Sequence, residues 1–272
     1  MKLYHYTNLK TLALILKHRT LRFNRLDKVD DLEENVKSNG LNLGQYIFVS
    51  CWTEDAEESI PLWRMYAGIE NGVRICLDED MFQTYDICNF KFRDKVPIIG
   101  SLSLIPQKDI ENQDYFIMPL GTNNRTSFLK KVEYVPDIHK YTDNVAQFQL
   151  KEKKKIDAII NFGEIGKYKN TKWAFQKESR FIINIMPCNP LYYVNNPNLM
   201  VNIVYNAYKS NKALNFSFYD MRLKNDILNK IEITLSPEVS ESQRIIVEAL
   251  CRQFAPEAKI SDSALFGKVR LK

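Results

Sequence analysis

The sequence lacks the marks of several protein classes. It has no run of about 18 apolar residues, as a membrane-spanning helix requires, and its start lacks the basic, apolar and small-residue order of a signal peptide. Its five cysteines show no C-x-x-C spacing, which argues against a disulfide framework or a zinc site. We therefore expect a soluble, cytoplasmic protein with reduced thiols that needs no metal and binds no membrane.

Histidine is also scarce, and this restricts the possible chemistry. The chain has three, His5, His18 and His139, and the last two lie in segments that we predict to be on the surface. No Ser-His-Asp or Cys-His arrangement can be assembled from them. His5 is therefore the candidate histidine of a site.

The composition that is present is that of an ordinary globular protein. The chain has 272 residues, of which 45% are hydrophobic and 26% charged, enough for a substantial core. Its net charge is +5, and residues 151–180 carry nine Lys and Arg against four Asp and Glu. This basic segment favours a phosphate-bearing ligand, with a solvated helix face as the alternative for residues 151–155.

Hydrophobic patterning predicts an α+β fold of one domain, residues 1–272. The first half should contain strands at 3–7, 21–24, 46–53 and 73–77, a helix from Leu9 to His18 capped by Asn8, and a short helix at 59–67. Further on we predict a strand at 130–135, a helix at 143–160, a strand at 173–185, and a closing β-α-β unit within 225–272 whose helix starts at Ser236-Pro237. Residues 80–130, rich in Pro and Gly, form an irregular insertion.

An acidic stretch interrupts this pattern between Asp27 and Glu34. Five carboxylates fall within eight residues. The stretch is either the start of a helix, where carboxylates favour the N-terminal dipole, or a loop that presents carboxylates to a site.

Five motifs, in order and spacing, resemble those of a bacterial family, the domain of unknown function 2971 family. The resemblance spans nearly the whole chain, with one departure at Leu32, where the family usually has proline. The motifs are Leu3-Tyr4-His5-Tyr6-Thr7, Phe23-Asn24-Arg25-Leu26 with Asp30-Asp31, Val49-Ser50-Cys51-Trp52-Thr53, Pro61-Leu62-Trp63-Arg64-Met65-Tyr66-Ala67 with Gly72-Val73-Arg74-Ile75, and Trp173-Ala174-Phe175-Gln176-Lys177-Glu178-Ser179-Arg180.

A second resemblance implies an activity. Tyr4-His5-Tyr6-Thr7 before an amphipathic helix resembles the opening motif of ADP-ribosyltransferases and related DNA-modifying toxins. It implies a split mixed β-sheet core with surrounding helices, in which 1–80 and 130–190 form the catalytic part. It also implies NAD as co-substrate and no metal.

The same resemblance assigns roles to residues. His5 would hydrogen-bond the ribose or the nicotinamide amide, and Glu178 would hold the ribose 2′-hydroxyl and stabilise the oxocarbenium ion. Gln176 completes a Q-x-E pattern typical of arginine-directed members, and Ser50 would support Glu178. For NAD binding we further consider Tyr6 and Thr7 beside His5, Tyr46 or Trp52 as the ring that stacks on nicotinamide, and Arg180, which could hold the carboxylate of Glu178 or bind a diphosphate.

Three functions follow as hypotheses. The preferred one is an NAD-consuming enzyme, a mono-ADP-ribosyltransferase with a macromolecular acceptor, acting as a bacterial toxin or antiphage effector, or alternatively an NAD glycohydrolase. The second is a nucleic-acid-binding protein, although no recognised binding motif occurs. The third is a non-enzymatic interaction module that uses aromatic side chains around Trp52, Trp63 and Tyr66.

Overall fold

The N-terminal strand and helix form as the pattern predicts. In the computed structural model, which describes residues 1–86, 102–110, 112–118, 128–151, 155–189 and 192–269, β1 (Lys2–Asn8) leads directly into α1 (Leu9–His18). The side chain of Asn8 caps α1 by accepting a hydrogen bond from the Thr11 amide. Leu12, Ile15 and Leu16 bury one face of the helix, so α1 packs on the core through the predicted stripe.

The remaining strands and helices are mostly short. The strands are β2 (Thr20–Arg25), β3 (Lys37–Ser38), β4 (Leu41–Asn42), β5 (Ile47–Thr53), β6 (Gly72–Asp78), β7 (Tyr85–Asp86), β8 (Leu102–Ser103), β9 (Phe116–Met118), β10 (Leu129–Lys131), β11 (Glu133–Val135), β12 (Ala146–Leu150), β13 (Ile156–Ile160), β14 (Tyr168–Asn170), β15 (Glu178–Met186), β16 (Phe218–Arg222), β17 (Glu232–Leu235) and β18 (Lys259–Ser261). The helices are α2 (Ile60–Leu62), which continues as a π-helical turn (Trp63–Ala67), α3 (Gln107–Ile110), α4 (His139–Thr142), α5 (Tyr192–Asn195), α6 (Pro197–Lys209) and α7 (Glu241–Phe254). Short 3-10 helices occupy Leu26–Lys28, Leu32–Glu34, Gly44–Tyr46, Thr171–Gln176 and Ile227–Lys230.

One mixed sheet of ten strands organises the molecule. Its main path runs β10-β15-β5-β1-β6-β17-β18, with β9 beside β15 and with β2 joining β5 to β16. Neighbouring strands on this path are antiparallel except β17 and β18, which are parallel and joined by α7. The fold is thus α+β with a mixed sheet, and the predicted closing β-α-β unit is present. The main hydrophobic cluster contains residues from Leu3 to Ala255, and two smaller clusters lie around Trp63 and Tyr168.

The sheet splits between β1 and β5. Strand β1 pairs with β6 along its whole length, from Lys2 opposite Asp78 to Asn8 opposite Gly72. Within the described chain it pairs with β5 only at Tyr4, opposite Thr53. Beyond that point β5 pairs instead with β2, where Asn24 lies opposite Val49. The two strands therefore diverge like the sides of a wedge.

Three predictions of secondary structure were wrong. The strand predicted at 173–185 starts only at Glu178, because Thr171–Gln176 form a 3-10 helix capped by Asn170. The described residues of 143–160 form no helix; Ala146–Leu150 and Ile156–Ile160 pair instead as the antiparallel strands β12 and β13, in which Ala146 lies opposite Ile160. The alternation of buried and exposed residues in β13 has the strand period of two, whereas the lysine-rich segment had suggested helix. The last helix begins at Glu241, not at Ser236, because Ser240 and Gln243 form a capping box.

Other predictions lie partly outside the described residues. Of the irregular insertion at 80–130, residues 87–101, 111 and 119–127 are not described, and neither is Cys88. The four described cysteines are free thiols. In the part of the chain with described coordinates, no helix is both long and apolar enough to cross a bilayer, and no group of three metal-ligating side chains occurs.

Candidate functional site

A cavity of about 810 Å³ occupies the wedge between β1 and β5. This volume lies within the roughly 300–1,000 Å³ range of ligand pockets. Among its lining residues are eight of the nine predicted site residues: His5, Tyr6, Thr7, Ser50, Trp52, Gln176, Glu178 and Arg180. Residues from 1–80 and from 130–190, the two segments that the resemblance predicts to be catalytic, therefore line one cavity.

Tyr46, the ninth predicted residue, lies elsewhere. It is buried beneath α6, where its hydroxyl donates to the backbone carbonyl of Lys212 at 2.6 Å and its ring lies 4.8 Å from that of Tyr208. It is not among the residues that line the cavity. The prediction of Tyr46 as a stacking ring was wrong, because it sits in the 3-10 turn before β5 and not on the strand itself.

His5 is held neutral and in one tautomer. Its Nδ1 lies 2.7 Å from the backbone carbonyl oxygen of Cys51, an acceptor, so Nδ1 carries the proton and donates it. Burial lowers the pKa of His5 more than this hydrogen bond raises it. The other ring nitrogen, Nε2, consequently keeps its lone pair and can accept a hydrogen bond from a ligand.

Trp52 packs against His5, and Ser50 supports Trp52. The His5 and Trp52 rings have centroids 5.1 Å apart, and the indole N–H of Trp52 donates to the Ser50 hydroxyl at 3.0 Å. The prediction that Ser50 supports Glu178 was wrong. Ser50 lies opposite Phe181, and its hydroxyl accepts a hydrogen bond from the indole N–H of Trp52. Trp52 lines the cavity, so it remains the candidate stacking ring.

Glu178 belongs to a buried cluster of four charged side chains, here called the ion quartet: Glu34, Lys169, Glu178 and Arg180. Arg180 is completely buried, and its Nε donates to Glu178 Oε1 at 2.7 Å. Lys169 Nζ lies 3.2 Å from Glu178 Oε2 and 2.9 Å from Glu34 Oε1. Arg180 Nη1 completes the ring of contacts at 2.5 Å from Glu34 Oε2. Two positive and two negative charges therefore balance.

The ion quartet keeps Glu178 ionised. Burial alone would raise the pKa of Glu178, but the positive charges of Arg180 and Lys169 outweigh it and lower the pKa to about 2. The Cys51 thiol, whose pKa burial raises well above its ordinary value, adds a hydrogen bond to the carboxylate. Arg180 thus holds the carboxylate, the first of its two predicted roles.

Sequence analysis missed Glu34 and Lys169 as members of this cluster. Glu34 ends the acidic stretch, which forms two short 3-10 turns, and its carboxylate belongs to the ion quartet without lining the cavity. Both alternatives hold in part: Leu32–Glu34 is a helical turn that starts with acidic residues after the cap Asp31, and Asp30, which precedes it, lines the cavity. The excess of acidic residues in 27–34 and of basic residues in 151–180 indicated that the two segments could form ion pairs. It did not identify which residues pair.

Many cations of the basic segment form ion pairs. Lys167 lies 2.8 Å from Glu133, Lys177 lies 2.6 Å from Asp55, and Lys151 pairs with Asp157. With Lys169 and Arg180 inside the ion quartet, five of the seven cations that the structure describes in this segment are paired, so their charges are not an open approach for a phosphate.

The strand register shows that His5 and Glu178 do not lie opposite the same residue of β5. Tyr4, Thr53 and Glu178 lie opposite one another across β1, β5 and β15. Because side chains alternate along a strand, His5 extends to the opposite face of the sheet from Glu178. Both nevertheless line the same cavity, which lies where the sheet splits.

Gln176 and Tyr6 are both held by hydrogen bonds. Gln176 ends the 3-10 helix before β15, and its Nε2 donates to the Tyr66 hydroxyl at 2.6 Å. The Tyr6 hydroxyl accepts from the Ser59 amide at 2.9 Å, and its ring contacts Trp63 edge-on. Trp52 and Trp63 are 3% and 0% exposed. The proposed aromatic interaction surface was therefore wrong for both tryptophans.

Comparison with known proteins adds no relative. No family model, no curated protein and no solved structure matches this chain. The resemblance to the bacterial domain of unknown function 2971 family stays a prediction that rests on its five motifs.

Proposed function

We propose that the protein consumes NAD, as a mono-ADP-ribosyltransferase with a macromolecular acceptor. One observation carries the proposal: His5 on β1 and Glu178 on β15 line a single cavity at a split in a mixed sheet, with β5 between them. This arrangement is similar to the split sheet that the opening motif implied. Action as a toxin or antiphage effector belongs to the same proposal.

The charge of Glu178 suits this chemistry. Breaking the bond between nicotinamide and ribose builds positive charge on the ribose, and a fixed carboxylate stabilises that charge more in the transition state than in the ground state. The pKa of about 2 means that Glu178 is ionised at neutral pH. Each carboxylate oxygen has two lone pairs, so Glu178 can accept a ribose hydroxyl without leaving Arg180.

The opposite wall supplies neutral groups. His5 Nε2 can accept a hydrogen bond from a ribose hydroxyl or from the carboxamide, and Trp52 offers a ring beside it. A nicotinamide leaving group becomes neutral as the bond breaks, so a neutral, partly aromatic wall suits it better than a charged one.

The test is release of nicotinamide from labelled NAD by the purified chain. We expect Glu178→Gln to lower the rate at least 100-fold while the protein stays folded, since it removes the charge that faces the ribose. Glu34→Gln is the matched control, because Glu34 shares the ion quartet but does not line the cavity. Equal losses in the two variants would mean that Glu178 serves only the fold.

His5 is tested by His5→Gln, with His139→Gln as its control, since His139 is exposed and pairs with Asp143. Adding cell lysate then separates transfer from hydrolysis. Label on protein or nucleic acid supports transfer, whereas free nicotinamide and ADP-ribose alone support the glycohydrolase. Absence of nicotinamide release under both conditions contradicts the proposal.

A further inference from the structure

The π-helical turn after α2 brings Tyr66 to the cavity. Residues Trp63–Ala67 form this wide turn, which ends where Gly68 adopts φ 78° and donates its N–H to the carbonyl of Trp63 at 2.9 Å. Such turns occur often at functional sites. Trp63 is anchored in the interior by a hydrogen bond to Glu58, and Tyr66 lines the cavity beside Gln176 and Glu178.

The Tyr66 hydroxyl binds the Gln176 amide, and Asp30 also lines the cavity. The hydroxyl oxygen accepts a hydrogen bond from Gln176 Nε2 at 2.6 Å. Burial raises the pKa of Tyr66, and its interaction with Asp30 raises the pKa further, so the phenol keeps its proton. The phenol O–H is then available to an acceptor such as the Asp30 side chain, while the oxygen accepts from Gln176.

The direction of this hydrogen bond fixes the orientation of the Gln176 side-chain amide. With its nitrogen committed to Tyr66, its oxygen Oε1 is left over, and Oε1 has no hydrogen-bond partner among the described residues. Gln176 is 4% exposed and lines the cavity. An unpaired buried acceptor is destabilising, and a ligand that donates to it relieves that cost.

We propose that Tyr66 and Asp30 are positioning residues that hold the Gln176 amide with its oxygen towards the cavity, and that the reacting ligand places an N–H or O–H group against that oxygen. The inference rests on the proposed function for its kinetic test. It adds Tyr66 and Asp30 to the residues on which the proposed function depends.

The kinetic test compares Tyr66→Phe in two backgrounds. In the otherwise unchanged chain, Tyr66→Phe frees the amide to rotate, and we expect kcat/KM for nicotinamide release to fall about 3- to 10-fold. In a Gln176→Glu background both side-chain oxygens accept, so orientation no longer matters and the same change should have an effect under about twofold. Equal effects in the two backgrounds would overturn the inference, because Tyr66 would then act through packing alone.

Asp30→Asn sharpens the same test. An asparagine amide can donate to Tyr66, which lets the chain of hydrogen bonds reverse, so we expect a loss in the same direction as for Tyr66→Phe. Tyr141→Phe is the matched control, because Tyr141 is 47% exposed and stacks on Tyr168 away from the cavity. Unchanged kinetics in Asp30→Asn would remove Asp30 from the proposal.

A measurement without NAD separates this inference from the proposed function. Solvent exchange of the Gln176 side-chain amide protons, followed by NMR, should be at least several-fold faster in Tyr66→Phe than in the unchanged chain or in Tyr141→Phe. If the unchanged chain releases no nicotinamide, the proposed function fails while this exchange rate still decides the role of Tyr66. Identical exchange in all three proteins would show that Tyr66 does not hold the amide.

Discussion

The two walls of the cavity are built in different ways. The charged wall consists of Glu178 and Arg180 on β15, backed by Lys169 and Glu34, and ion pairs hold it together. The neutral wall consists of His5, Trp52 and Ser50, and one main-chain hydrogen bond, one indole hydrogen bond and ring packing hold it. The charged wall draws on three separate segments, whereas the neutral wall draws on two neighbouring strands.

This difference decides how each wall responds to change. A buried charge is tolerable only while its partners are present, because water no longer solvates it. Removing one member of the ion quartet leaves an uncompensated charge in the interior. Removing one neutral side chain removes only the contacts of that side chain and leaves no unpaired charge. The charged wall should therefore be far more sensitive to mutation and to acid than the neutral wall.

The largest expected effect is that of Arg180→Leu. It leaves Glu34 and Glu178 with only Lys169 between them, and we expect a loss of about 3–5 kcal/mol in the free energy of unfolding. Urea unfolding followed by tryptophan fluorescence measures it. Trp52→Phe would be the natural counterpart on the neutral wall, measured by circular dichroism, and it should cost less. Similar losses would mean that charge balance does not distinguish the walls.

Acid should act next most strongly, through Glu178. Its pKa in the folded state is lowered from 4.5 to about 2, so the unfolded chain binds the proton more readily. The stabilisation is therefore present above pH 4.5 and is lost as pH falls towards 2. We expect a loss on the order of 1–3 kcal/mol across that window, measured by urea titration at successive pH values. In Glu178→Gln this part of the pH dependence should disappear, and its persistence would contradict the assignment.

The smallest effect should come from His5 on the neutral wall. Burial lowers its pKa below 6.5, so the unfolded state binds the proton more readily there as well. The stabilisation is present above pH 6.5 and is lost as pH falls through the lowered value. His5→Gln should flatten the stability profile just below pH 6.5. NMR titration of the ring protons provides an independent measurement of the same pKa.

Local patterns predicted the elements that carry their own signals. Asn8 and the apolar stripe of α1 gave that helix its correct bounds, and β17, α7 and β18 follow the predicted order because each has its own periodicity. The hairpin β12-β13 was mistaken for a helix, because its lysine-rich connection has good helix formers and masked a period of two.

The site was predictable only where a motif marked it. His5, Gln176 and Glu178 were identified from motifs, and the structure places all three around one cavity. Glu34 and Lys169 were not marked by a motif. Glu34 contacts Arg180, which is 146 residues away in the chain, and Lys169 contacts Glu178, which is 9 residues away. No local pattern encodes such a pairing, since any of the neighbouring acidic residues would look equally suitable. Tyr66 was considered only as part of an aromatic interaction surface, because its contact with Gln176 spans 110 residues of the chain.

The wedge between β1 and β5 also separates two parts of the sheet. Strand β1 is bound along all its length to β6, which in turn pairs with β17 of the closing unit, whereas Glu178 moves with β15 and β5. His5 and Glu178 thus lie on two parts of the sheet whose strands pair at a single described position, Tyr4 opposite Thr53. The hydrogen bond from the His5 imidazole to the Cys51 carbonyl on β5 ties the two parts together at the same place, so this bond and that pair set the spacing of the imidazole and the carboxylate.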